Sequence, residues 1–195
     1  MKFDEIQRVL ETKVVGIAGC GGIGSNAAVA LARVGVGKLV IADFDTIEET
    51  NLNRQYYFYD QIGLQKALTL KDNIQRINPS VHVDAHVVSL DPKSVTALFS
   101  RCDIILEAFD KAEMKEMIIE TILSLMPKKP LISGVGMAGW GRNETLSVER
   151  HGNLFIVGDR QSEANEEYPP LAPRVGVVAN MMANIVVDIF LGKEY

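Results

Sequence analysis

The strongest constraint on this chain is the stretch VVGIAGCGGIGSNAAVALARVGVG, residues 14–37. Apolar residues lead into a glycine cluster, and small and aliphatic residues then recur at helical spacing. That is the pattern of a strand, a tight turn and a helix in direct succession. Gly19, Gly21 and Gly24 satisfy G-x-G-x-x-G in that setting. The first glycine permits the turn, the second lets backbone approach a phosphate, and the third lets the helix pack closely on the strand. Amides at the helix start, with the helix dipole behind them, favour an anion. Asp43 ends the next apolar run, KLVIAD, nineteen residues past Gly24, where an acid can bind ribose hydroxyls. These residues predict a nucleotide site, against the plainer reading of a glycine turn kept only for helix–sheet packing. They leave open whether the nucleotide is a dinucleotide used for hydride transfer or an ATP consumed in adenylation.

Strand and helix signals alternate along the rest of the chain, which predicts an α/β, Rossmann-like fold with a mainly parallel sheet flanked by helices. The reading places a helix from Ser25 to about Val34, a buried strand at KLVIAD and a polar loop from Asp45 to Gly63. A helix follows over Leu64 to Arg76, with Leu64, Leu68, Ile74 and Ile77 on its period, and Asn78-Pro79 stops it. VHVDAHVVSL alternates like a strand with one wet face, Pro92 to Ser100 is a short helix, and CDIILEAFD is a buried strand running into a loop. Lys111 to Met126 is a helix and PLISGVG a strand, while ETLSVER and NLFIVG form a hairpin that gives the sheet an antiparallel extension near the C-terminus. The closing segment GVVANMMANIVVDIFLG is apolar around most of its circumference and must be buried, in its own core or against a second copy.

At 195 residues the chain is expected to form one domain, residues 1–195. Its 20 basic against 25 acidic residues give a formal charge of −5, which leaves no basic footprint for nucleic acid. Cys20 and Cys102 are too few for a disulfide framework, and no run of about 18 apolar residues marks a membrane span. A cytoplasmic protein is the expectation.

The residues beyond Asp43 favour the triphosphate. Arg54 offers a planar donor fork suited to phosphate and Lys66 a compact mobile charge, neither of which a dehydrogenase needs in this loop. Asp110 follows the apolar run IILEAF and should emerge at the carboxyl edge of the sheet, where ligands of open α/β sheets bind. One carboxylate there can hold Mg²⁺ together with phosphate oxygens.

GxGGxG, then DxDxxxxxNLNRQ, then IG followed by a lysine, then a strand ending in an acid, resemble the adenylyltransferases of the ThiF/MoeB/HesA family, bacterial relatives of the ubiquitin-activating E1 enzymes. The resemblance runs from TKVVGIAGCGGIG through RINP and PLISGVG to PLAPRVGVVANMMANIVVDIFLG. It implies an ATP loop at Gly19, Gly21, Gly22 and Gly24, a ribose acid at Asp43 and a phosphate-contacting pair at Arg54 and Lys66. Asn51 and Gln55 take supporting roles, and Asp110 becomes the Mg²⁺-associated acid needed for adenylation. The implied reaction is ATP-dependent adenylylation of the Gly-Gly carboxylate of a ubiquitin-like sulfur carrier, with release of pyrophosphate and a homodimeric enzyme.

Departures from the family pattern refine these expectations. The CxxC pairs that hold zinc in longer members are missing, so no zinc is expected, and the short form favours a thiamine-type (ThiS-type) carrier. GDRQSEANEEYPPLAP carries no cysteine, which puts a covalent carrier intermediate in doubt. Cys20 reads as a packing residue whose pKa a helix start could lower. Arg8 is the one candidate for an arginine reaching a partner's site, and Lys111 stands where the family usually has Asn. His82, His86 and His151 have no ligand spacing. The competing readings are a non-catalytic carrier-binding module of the same fold and an NAD(P)-linked oxidoreductase.

Overall fold

Apolar residues alternate between the two faces of the central strands, so the sheet must be covered on both sides. The structure is a computed structural model that describes residues 1–192. Its elements run α1 (Phe3–Leu10), β1 (Val14–Ala18), α2 (Gly22–Arg33), β2 (Lys38–Ala42), α3 (Lys66–Ile77), β3 (His82–His86) and α4 (Pro92–Phe99). After these come β4 (Ile104–Glu107), α5 (Ala112–Leu125), β5 (Leu131–Gly134), β6 (Ser147–His151), β7 (Leu154–Gly158) and α6 (Ala172–Phe190). Seven strands form one sheet in the order β3-β2-β1-β4-β5-β7-β6. The first five strands pair in parallel with one another, β7 pairs in parallel with β5, and only β6 runs antiparallel, against β7. The expected hairpin is therefore present, with one arm continuing the parallel array.

Val15, Ile17, Leu39, Ile41, Ile104 and Leu106 face one layer with α2, α3 and α6, and Ala18, Val40, Ala42 and Ile105 face the other with α4 and α5. Each fully buried Leu or Ile contributes about 1.5–3 kcal/mol relative to exposure, so this two-sided pattern is what selects the layered fold. Among the described residues α6 is the one helix long and apolar enough to cross a membrane. Here its face of Val175, Val178, Ala179, Met182, Ile185 and Val186 is buried in the core shared with α2.

Two local readings change. The glycine-turn helix begins at Gly22 instead of Ser25, because backbone geometry and not side-chain pattern starts it. In α3 Leu68 is exposed, as is Leu64 before the helix, and the inward face is Ala67, Leu70 and Ile74 together with Thr69 and Asn73. Asn73 tolerates burial because its amide exchanges hydrogen bonds with Gln61 at 2.7 and 3.0 Å.

Candidate nucleotide-binding site

Chain order 1-2-3 runs to one side of β1, and the chain then crosses to β4 on its other side. That makes β1/β4 the topological switch point, at whose carboxyl edge a crevice forms. β1 ends at Ala18, and the Gly19 amide donates to Ala42 O at 2.9 Å while the Ala108 amide donates to Ala18 O at 2.9 Å. The turn after β1 thus starts between the ends of β2 and β4. Gly19 has φ of +97°, a conformation that side-chain-bearing residues avoid. The first intrahelical bond of α2 runs from the Ser25 amide to Gly21 O, so the amides of Gly22, Ile23 and Gly24 have no acceptor within the helix.

Asp43 sits just past β2 with both carboxylate oxygens on the turn: Oδ2 accepts from the Cys20 amide at 2.6 Å and Oδ1 from the Asp45 amide at 2.8 Å. Burial raises its pKa above the ordinary carboxylate value, against the pull of those two amides and the Lys66 charge. Cys20 is fully buried, and burial followed by the Asp43 charge pushes its thiol well up, so the lowering expected of a helix start is overridden. Its role is packing.

The polar segment after Asp43 is less exposed than its composition suggests. Residues 46 and 65 form an antiparallel bridge, with the Lys66 amide on Asp45 O, so the segment folds back on itself. Asn26 Nδ2 donates to Arg54 O at 2.9 Å, the Tyr56 amide donates to Ser25 Oγ at 3.0 Å, and the Tyr57 hydroxyl donates to Cys20 O at 2.8 Å. Three bonds therefore tie this segment to the glycine turn. Lys66, at the start of α3, is buried, and its Nζ meets Asp45 Oδ2 at 3.1 Å. Half-buried Arg54 donates through Nη1 to Thr50 O at 3.1 Å and Asn53 Oδ1 at 2.7 Å. Gln55 lies over Gly21, and its Oε1 is buried without a protein partner. Asn51 is buried too, but its Oδ1 accepts from the Glu48 amide at 3.1 Å and serves the turn instead of the crevice.

Gly19–Gly24, Asp43, Arg54, Gln55 and Lys66 are thus joined by one network of bonds and close approaches. Asp110 is in the loop between β4 and α5, which begins against the glycine turn. Ala108 O comes within 2.9 Å of where a Cβ at Gly19 would lie, and the Phe109 ring within 3.5 Å. The Asp110 side chain is exposed, and among the described residues it makes no hydrogen bond or ion pair. Lys111 is exposed beside it and precedes α5, and Arg8 is exposed on α1. His86 faces Asp84 at 3.0 Å and His151 faces Glu149 at 3.6 Å. Among the described residues no group of three or more His, Cys, Asp or Glu is gathered to hold a metal.

Two polar features escaped the sequence reading. Glu107, the last residue of β4, is completely buried, with Lys115 Nζ 3.0 Å from each of its oxygens. Arg174, on α6, is 4% exposed and pairs with Asp159 at 2.7 Å. An acid inside an apolar strand and an arginine inside an apolar helix were the available signals.

The arrangement can hold a phosphorylated nucleoside: backbone donors at the turn, an acid next to them and two cations on the facing segment. Gln55 Oε1 is a spare acceptor beside the turn. Among curated relatives, a molybdopterin-synthase adenylyltransferase of Haemophilus influenzae is 29% identical over 199 residues, covering 98% of this chain and 81% of the relative. MOCS3 of Caenorhabditis briggsae, an adenylyltransferase and sulfurtransferase, is 34% identical over 193 residues; the match covers 94% of this chain and spans only 47% of that relative's length. The fold matches that of the tRNA N6-threonylcarbamoyladenosine dehydratase TcdA of E. coli, solved in complex with ATP. Its TM-score is 0.86 at 20% identity, over 96% of this chain and 89% of that one. The model of the ThiF family matches residues 2–195, and the chain belongs to that family.

Proposed function

We propose that the chain is an ATP-dependent adenylyltransferase acting on the C-terminal Gly-Gly carboxylate of a ubiquitin-like sulfur carrier protein. The observation that carries this reading is the tying of the segment that bears Arg54 and Lys66 to the glycine turn and the start of α2, through Cys20, Ser25 and Asn26, on one side of the switch-point crevice. A nicotinamide would leave those two cations without work, whereas a triphosphate needs them. The adenylyltransferase names of the curated relatives support the same reading.

The residues present fit the reactants. The turn amides and α2 dipole receive phosphate, Asp43 accepts from ribose hydroxyls, and Arg54 and Lys66 draw toward phosphate oxygens. The carrier's terminal carboxylate is ionised at neutral pH and attacks the α-phosphorus without a general base. A new acyl–phosphate bond forms as the bond from the α-phosphorus to the bridging oxygen breaks, and pyrophosphate departs with that oxygen and its electron pair. Positioning and charge neutralisation supply the catalysis. Asp110 is a lone exposed carboxylate, which suits Mg²⁺ because that ion takes most of its other ligands from water and phosphate. Bound there, Mg²⁺ would offset the charge on the departing pyrophosphate. The active form is a homodimer, and the carrier is thiamine-type in this reading.

The test is incubation with ATP, Mg²⁺ and purified thiamine-type and molybdopterin-type carriers, followed by intact-mass analysis for AMP on the terminal glycine. Adenylate on the thiamine-type carrier supports the full reading, and adenylate only on the other moves the carrier assignment. Carrier binding without adenylate identifies a non-catalytic module, and tight NADH binding without ATP affinity identifies an oxidoreductase.

A further inference from the structure

Asp110 has the most demanding placement of the candidate residues and the least support of its own, since its carboxylate makes no hydrogen bond or ion pair with any described residue. Its position is set only by the backbone of residues 108–111, which joins the end of β4 to the start of α5. The buried cluster beneath that loop is built around Glu107 and Lys115, one on each side of it. Glu107 Oε1 accepts from the Phe109 amide at 2.7 Å and from Lys115 Nζ at 3.0 Å. Its Oε2 accepts from Lys115 Nζ at 3.0 Å and from Ser133 Oγ at 2.5 Å. The third proton of Lys115 goes to Gly134 O at 2.8 Å.

Every donor of the ammonium and every acceptor site of the carboxylate is therefore used. Such a saturated network has no capacity left to bind substrate or shuttle a proton, and its value is rigidity. It is also costly: taking the Glu107 carboxylate fully, and Lys115 largely, out of water offsets much of their attraction, so an apolar pair of similar volume would serve stability about as well. The bonds reach the loop itself, through the Phe109 amide, and both of its ends, on β4 and α5. They tie all three to β5 at Ser133 and Gly134.

We propose that the Glu107–Lys115 pair is the positioning device for Asp110, holding the 108–111 loop so that this carboxylate stands at a fixed place relative to the glycine turn. The proposal rests on the adenylyltransferase reading only for what Asp110 does once placed. Glu107 and Lys115 are positioning residues and touch no reactant.

The experiment uses the full chain as Lys115→Met, the apolar double substitution Glu107→Leu/Lys115→Met, and Lys115→Arg. Lys115→Met strands a buried carboxylate and risks unfolding; the double substitution removes both charges and keeps the packing. The first readout is amide hydrogen exchange without any ligand. In the double variant, protection at Phe109 and through 108–111 is expected to fall about tenfold or more while β1 and α2 keep theirs. The second is carrier-dependent ATP–pyrophosphate exchange, where kcat is expected to fall about tenfold or more with KM for ATP changed less than about twofold, a split that general destabilisation does not give. Lys115→Arg, which keeps the charge and its donors, is expected to recover most of both signals. A folded double variant with unchanged loop exchange overturns the proposal. So does a loosened loop with kcat intact. Wild-type protein that adenylates no carrier, with the loop still loosened by the double substitution, overturns the functional reading and leaves the loop-holding role in place.

Discussion

Gly24 packs so closely on Gly19 that a Cβ at residue 24 would lie 1.9 Å from the Gly19 carbonyl oxygen. That is backbone against backbone, and no rotamer change relieves it. Gly21 differs: the nearest atom to a Cβ there is Gln55 Nε2 at 3.7 Å, and its φ of −79° is outside the left-handed region. Gly24→Ala is therefore expected to destabilise the fold by about 3 kcal/mol, at the upper end for overpacking, and Gly21→Ala by less than about 1 kcal/mol. Gly21→Ala instead places a methyl where backbone meets phosphate and is expected to weaken ATP binding about tenfold or more. Urea denaturation and ATP titration of the two variants check the contrast. Equal stability loss in both would refute the assignment of distinct roles to the two glycines.

Asp110→Ala and Arg54→Ala remove side chains that are exposed or half-buried, so each is expected to leave stability within about 1 kcal/mol of the parent. Each is also expected to abolish carrier-dependent pyrophosphate exchange, a loss of about 100-fold or more if each meets charge that develops in the transition state. Near-normal exchange in both variants would sink the site assignment.

The parts readable in advance were those whose signal is local. A strand, a glycine turn and a helix follow one another without interruption, and Asp43, Arg54 and Lys66 come within a few dozen residues of the turn. Glu107 was not readable because its partners lie on α5 and β5, 8 and 26 residues away, and nothing in IILEAF says which face the acid takes. Arg174 answers to Asp159 across a proline-containing segment that gives no periodicity to follow. In α3 the apolar spacing was right at Ile74 and Ile77, which join the core, and wrong at Leu64 and Leu68, because the true inner face also includes Lys66, Thr69 and Asn73. Polar residues can be core only where partners exist, and Asp45 and Gln61 are visible as partners only in three dimensions.

Asp43 sets a pH dependence for the ribose end of the site. Burial raises its pKa, more than the Cys20 and Asp45 amides lower it. For the unliganded protein the sign is that of a raised acid: its contribution to stability is full below the unfolded value of about 3.9 and is lost as pH rises through the folded one. Ribose binding runs the other way, because the ionised carboxylate is the stronger acceptor. Adenosine, which has no titrating phosphate, is expected to bind about tenfold more weakly once Asp43 is protonated, with the loss beginning above the ordinary carboxylate range. Asp43→Asn should bind weakly and without that dependence. Calorimetric titration from pH 7 down to about 4.5 checks it, and a flat wild-type profile would remove Asp43 from the ribose site.

The Arg174–Asp159 pair makes the last prediction, one of stability. Burial alone would raise the Asp159 pKa, but the Ser162 and Gln161 amides and the Arg174 guanidinium overcome it and hold the carboxyl at about 2. A depressed acid contributes stability above its unfolded value of about 3.9, and the contribution is lost as pH falls from there through the folded value. Arg174 also donates to Gly141 O, to Arg142 O at 3.2 Å and to Thr145 Oγ1 at 3.1 Å, so it anchors the connections on either side of β6 and β7 to α6. Arg174→Met is expected to cost about 3 kcal/mol at pH 7, the loss typical of breaking one side of a buried pair. Urea denaturation of parent and variant between pH 7 and pH 2 separates the two sources of that cost. If Asp159 carries most of it, the gap narrows as pH falls from about 4 toward 2, because without the arginine Asp159 takes up its proton at a higher pH than in the parent, where it is held at about 2. A gap constant across the range would assign the cost to the carbonyl bonds instead.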